Sequence, residues 1–106
     1  MTNQQLAKQL GINTATLLDL QQILSTHLSS KNIVNAFGSR SRGNAKKFSD
    51  LDLCITGDSL SYTQLAKIKE ELSESDIPIF VEVTQETDLS DSFKQAIKED
   101  FINIPF

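Results

Sequence analysis

Aspartate recurs at alternate positions in Ser49-Asp50-Leu51-Asp52-Leu53. Alternate residues of a β-strand project from one face, so Asp50 and Asp52 stand side by side by backbone geometry alone. Carboxylates that close repel. Unless water screens them, one takes up a proton or the pair shares cations, and hard, oxygen-seeking Mg2+ is the common cellular choice. A bare D-x-D on a wet sheet face is nonetheless the more ordinary reading. Ten residues upstream, Gly38-Ser39 closes an apolar run. Glycine lets backbone approach a ligand, and the Ser39 amide and hydroxyl can both donate to a phosphate oxygen. A short helix beyond the turn would add a favourable field for an anion. As a dipeptide, Gly-Ser marks no more than a strand-ending turn.

The combination carries weight that neither half has. Four identities fixed at this spacing occur by chance in about one random chain per thousand of this length. Between the two halves lie Arg40, Arg42, Lys46 and Lys47, four of the ten basic residues, with no acid among them. A solvated basic loop is their bland reading, and a site for something anionic is the other. A phosphate-holding turn and a metal-holding strand meeting at one end of a sheet is what a nucleoside triphosphate and its Mg2+ require.

The elements that must position these residues are legible from periodicity. Asn13 or Thr14 caps a helix striped by Leu17, Leu20, Ile23, Leu24 and Leu28 that ends near Ser29 or Ser30. Asn32–Phe37 reads as a strand stopped by Gly38. From Asp50 to Thr56 the pattern alternates, with Leu51, Leu53 and Ile55 facing one way and Asp50, Asp52 and Cys54 the other. Leu65, Ile68 and Leu72 mark a helix starting around Ser59 to Ser61. A third strand is expected from Pro78, its apolar run interrupted by Glu82. Thr87 or Asp88 is expected to cap a last helix striped by Leu89, Phe93, Ala96 and Ile97, and Phe101–Ile104 to add a final strand. This order predicts an α/β or α+β domain, a mixed sheet with helices on at least one face.

With 106 residues the chain is expected to form one domain over 1–106. No apolar run approaches the ~20 residues of a membrane span, and the N-terminus lacks a signal-peptide pattern, so a cytoplasmic protein is expected. One cysteine, Cys54, and one histidine, His27, exclude an internal disulfide and any multi-thiolate or two-histidine metal site, so a metal must be held by carboxylates. Cys54 reads as a small buried hydrophobe, His27 as a helix-end residue and Tyr62 as a partly packed surface aromatic. A formal charge of −4 argues against duplex DNA as the main partner.

The stretch G-S-x10-D-x-D, here "GSRSRGNAKKFSDLDL", resembles the signature of nucleotidyltransferases of the DNA polymerase β-like superfamily. Together with "AFGSR", "SDLDL" and "SESDIPIFVEV", it is similar to the minimal nucleotidyltransferase branch, over most of the chain. The resemblance implies a nucleotidyltransferase fold, a small mixed β-sheet with helices packed on it. It further implies AMP transfer from ATP, with two Mg2+, onto a tyrosine of an all-helical HEPN-type protein encoded nearby, as the antitoxin of a toxin–antitoxin pair. On that resemblance Gly38 and Ser39 grip the β- and γ-phosphates, with Arg40 and Arg42 beside them, and Ser49 orients the aspartates. Asp50, Asp52 and Glu82 are the catalytic acids and hold the metal, Glu82 standing where the family has its third carboxylate, which helps activate the nucleophile. The family places aspartate there, and one extra methylene moves the oxygens by about an ångström, enough to cost ~10²-fold in rate. Glu82 also fits a charge that guards an edge strand against aggregation.

Three other readings compete. "LAKQLGINTATLLDL" looks like a DNA-reading helix-turn-helix, yet Lys8 is the one basic residue within Met1–Ser30, so no direct DNA binding is expected. A nucleotide-binding module without catalysis would neutralise its partner by complex formation alone. Transfer to a small molecule lacks a second domain to shape the acceptor pocket.

Overall fold

Side-chain caps set the start of every α-helix: Thr2, Asn13, Ser61 and Ser90 each accept a hydrogen bond from the backbone N–H three residues on. The computed structural model describes residues 1–106. Its elements are α1 (Asn3–Leu10), α2 (Thr14–His27), β1 (Asn32–Phe37), β2 (Leu51–Gly57), α3 (Tyr62–Glu74), β3 (Val81–Gln85), α4 (Asp91–Lys98) and β4 (Ile102–Asn103). The strands form one sheet in the order β3-β2-β1-β4. β1 runs antiparallel to β2 and β4, whereas β2 and β3 are parallel and joined through α3. The expected mixed sheet with helices packed on it is therefore present.

Strand alternation decides what lies on each side. Val34, Ala36, Leu51, Leu53, Ile55, Val81 and Val83 are buried on one face, against Leu6, Leu10, Leu17, Leu20, Leu24, Ile68 and Leu72 of α1, α2 and α3. The apolar faces of α1 and α2 are thus consumed by this core, and α2 is no free recognition helix. The other face carries a smaller cluster, in which Phe37 and Cys54 pack under Ile97 of α4. Phe93 of α4 meets the Phe37 ring edge-on at 6.2 Å. α4 covers only part of this face, so Asp52 and Glu82, one strand position beyond its cover, remain partly open.

Two boundaries differ from expectation. β3 begins at Val81, not Pro78: the proline has no N–H to give, and the first ladder bond is Leu51 N–H to the Phe80 carbonyl, while the Phe80 ring is left 60% exposed. The last helix is capped by Ser90, because Thr87 and Asp88 fall within a 3-10 turn, Glu86–Asp88, that precedes it. Ala96, expected in its stripe, is exposed, and Tyr62, expected to pack partly, is 89% exposed. Cys54 is buried as expected. His27 closes α2 and pairs through Nε2 with Glu71 of α3.

Candidate active site

The site is built by strand register. Across the antiparallel pair, Phe37 stands opposite Asp52, and across the parallel pair Asp52 stands beside Glu82. Gly38 therefore leaves β1 next to Asp52. It has φ +81, and a Cβ built on it would lie 2.6 Å from Asp52 Oδ2. Only glycine satisfies both demands. Asp50 lies just ahead of β2 and is exposed, so the strand holds one of the two aspartates and the loop supplies the other.

Mutual repulsion is visible in protonation. Burial first, then the charges of Asp50 and Glu82, raise the Asp52 carboxyl above its usual value of 3.8, while Arg42 opposes them. Asp52 thus senses both of its acidic neighbours. Their donor chemistry suits a hard cation such as Mg2+. Yet no three acid, histidine or cysteine side chains stand close enough to hold a metal ion between them. Strand register puts Asp52 and Glu82 on one face beside Asp50 without closing a ready-made cage.

From Gly38 to Asn44 the chain forms tight turns: Arg42 N–H donates to the Gly38 carbonyl, Gly43 N–H to that of Arg40 and Asn44 N–H to that of Ser39. The amides of Ser39, Arg40 and Ser41 have no backbone acceptor. Consecutive unpaired N–H groups after a left-handed glycine are donors of the kind that meet phosphate oxygens. No helix follows the turn, so the helix field considered from sequence plays no part.

The Arg40 side chain takes no part in this donor set. It is 1% exposed, and its five N–H donors all meet backbone carbonyls. Nε donates to Ser49, Nη1 to Leu10 and Gly11, and Nη2 to Lys46 and Lys47. The geometry corrects its expected role beside the phosphates: with every donor engaged, the guanidinium staples the basic loop to the end of α1. Burial lowers its pKa from the ordinary value, and Asp50 counteracts this. Arg42 is half-exposed and reaches Asp100 beyond α4, Nη1 to Oδ2 at 2.7 Å. Ser49 turns its hydroxyl to the Lys46 N–H at 2.9 Å, holding the loop that delivers Asp50, and makes no hydrogen bond to either aspartate. Lys46, Lys47 and Phe48 are exposed on that loop, with the Lys47 ammonium 5.4 Å from the Phe48 ring centre.

Sequence reasoning missed the partnership of Arg42 with Asp100, which lie 58 residues apart with no local signal joining them. The staple made by Arg40 had no signal either, since all of its partners are backbone carbonyls.

Comparison with known proteins agrees with this geometry. Residues 19–104 match the family model described as nucleotidyltransferase domain. The chain is 37% identical over 97 residues to the probable protein adenylyltransferase MntA of Haemophilus influenzae, covering 91% of this chain and 84% of that one. Among solved structures it is similar to a toxin–antitoxin crystal structure with AMP-PNP, with a TM-score of 0.69 at 18% identity over 83% of this chain and 71% of that chain. It is also similar to a minimal nucleotidyltransferase, with a TM-score of 0.66 at 23% identity over 96% of this chain and 95% of that chain. Since the matched span holds the glycine turn, both aspartates and Glu82, the chain belongs to the nucleotidyltransferase domain family and is a nucleotidyltransferase.

Proposed function

We propose that this nucleotidyltransferase moves AMP from ATP, with Mg2+, to a hydroxyl of a partner protein, the new bond to the α-phosphorus replacing that to the departing pyrophosphate and the hydroxyl's proton passing to a base, the acceptor being a tyrosine of an all-helical HEPN-type toxin that it neutralises as antitoxin. The observation that carries the reading is the Asp52 carboxylate oxygen 2.6 Å from where a Gly38 Cβ would stand, with the acids Asp50 and Glu82 acting on it. The likeness to a protein adenylyltransferase supports AMP as the transferred group and a protein as acceptor.

The roles follow from position. The free amides of Ser39, Arg40 and Ser41, with the Ser39 hydroxyl, hold phosphate oxygens at the bend after β1. Asp50 and Asp52 are the ligands for magnesium, and Glu82 is the base positioned to take the acceptor hydroxyl's proton. Magnesium, when bound, supplies charge neutralisation at the phosphates. Arg42, tied to Asp100, lends positive charge beside Asp52. The Arg40 guanidinium acts only through the loop it fixes.

The direct test is mass spectrometry of the co-encoded partner after incubation with ATP, Mg2+ and this protein. Wild type should add adenylyl groups to a tyrosine, and the Asp50→Ala, Asp52→Ala double variant should add none while still binding the partner. One observation favours a second reading, in which the domain neutralises its partner by binding alone: the three acids do not converge on a single metal position. A wild-type protein that forms the complex but leaves the partner's mass unchanged would establish that alternative.

A further inference from the structure

Arg42 differs from Arg40 in what its donors are left to do. The Arg40 donors all meet backbone carbonyls, whereas Arg42 gives Nη1 to Asp100 Oδ2 at 2.7 Å and has no protein acceptor at Nε or Nη2. Both ends of this bridge are fixed by backbone. The Arg42 N–H closes on the Gly38 carbonyl, so its side chain leaves the same turn in which the Ser39, Arg40 and Ser41 amides have no backbone acceptor. Asp100 follows α4, its N–H bound to the Ile97 carbonyl, and precedes Phe101, which packs with Phe37, Cys54 and Ile97. β4 flanks β1 on the side away from β2 and pairs Ile102 with Ala36, so the chain just before it runs past the end of β1. The Gly38 turn thus stands between two acids, Asp52 of β2 and Asp100, and Arg42 is paired with the second.

We infer that Asp100 is a positioning residue for the triphosphate: it holds Arg42 away from Asp52, with Nε and Nη2 free to take oxygens of the β- and γ-phosphates. The inference rests on the proposed use of ATP and adds a residue that acts through the arginine alone. An acid with a side chain only 20% exposed, beside a turn proposed to receive phosphates, opposes the triphosphate by its charge. The arginine it orders offsets that repulsion. A long side chain loses rotamer freedom when a ligand orders it, and an ion pair made beforehand removes part of that cost. Without Asp100, Arg42 has Asp52 to turn to, a carboxyl that already feels its charge. A guanidinium resting there would cover the proposed metal ligand and desert the phosphates.

Isothermal titration calorimetry of the full chain, with Mg2+ and α,β-methylene-ATP, whose α-phosphorus cannot release pyrophosphate, tests this by sign. Asp100→Ala should bind the analogue about tenfold more weakly. If Asp100 acted only through its charge, the same variant would bind more tightly; if it only braced α4, the variant would melt lower with affinity unchanged. Either result overturns the inference and leaves the enzyme assignment standing. Asp100→Asn keeps the shape of the side chain, guards against misfolding of the alanine variant, and should also weaken binding. The Arg42→Ala background supplies the control. There, Asp100→Ala should tighten binding about threefold, because only repulsion is left to remove. Equal weakening in both backgrounds would place the effect outside Arg42 and overturn the inference. A wild type that does not bind the analogue removes the parent reading, and this one with it.

Discussion

Gly38 joins two constraints that no other residue meets at once, a left-handed backbone and contact with Asp52 Oδ2. Gly38→Ala should destabilise the fold by about 1–3 kcal/mol and, by pushing Asp52 aside, lower transfer by about 10²-fold. Urea unfolding and initial rates separate the two effects. Asp52 itself is held at a cost. Its folded-state pKa is raised above 3.8, so the folded protein binds the proton more tightly than the unfolded chain. The contribution of Asp52 to stability is therefore most favourable below 3.8 and is lost as pH rises through the higher folded-state value. Asp52→Asn should melt at a higher temperature than wild type at neutral pH, with the gap closing on acidification to about pH 4, as differential scanning calorimetry would register. Ser41 is simpler. Its hydroxyl is buried without a partner, so Ser41→Ala should gain about 1 kcal/mol in urea unfolding.

At the scale of elements, the loop from Gly38 to Ser49 has almost no regular structure, yet it is held by one side chain with five carbonyl partners. Arg40→Lys cannot reproduce a planar fork. It should cost about 3 kcal/mol in urea unfolding and reduce transfer through a displaced Asp50, with ATP affinity falling as well. The strands and long helices were legible because burial follows period 2 or 3.6, as Leu51, Leu53 and Ile55 illustrate. The start of β3 was not, since Ile77 and Ile79 continue the apolar pattern while packing partly against the core beside the edge rather than in the ladder. Likewise Ser90 and Thr87 are both plausible caps, and only the intervening 3-10 turn decides between them. The acids and the glycine of the candidate site could be found from spacing, because strand geometry fixes which side chains share a face. The work of Arg40 could not, because its partners are carbonyls, which leave no trace in residue identity.

For the whole molecule, the sheet separates two tasks. One face is filled by α1, α2 and α3, and the other is only partly roofed by α4, so Asp52 and Glu82 sit on a rigid floor with access from solvent. A divalent cation held by these acids relieves their repulsion only in the folded state and should raise stability by mass action. At a magnesium concentration about a hundredfold above its dissociation constant, the gain is about 2.7 kcal/mol, visible as a higher melting temperature in wild type and absent from the Asp50→Ala, Asp52→Ala variant. The staple at Arg40 also has an evolutionary consequence. Because the basic loop is secured from behind, its outward residues Asn44, Lys46, Lys47 and Phe48 are released from structural duty. Such a loop can drift toward a new nucleotide or a new client while its scaffold stays put, so diversity among related enzymes should accumulate on that rim and spare the arginine beneath it.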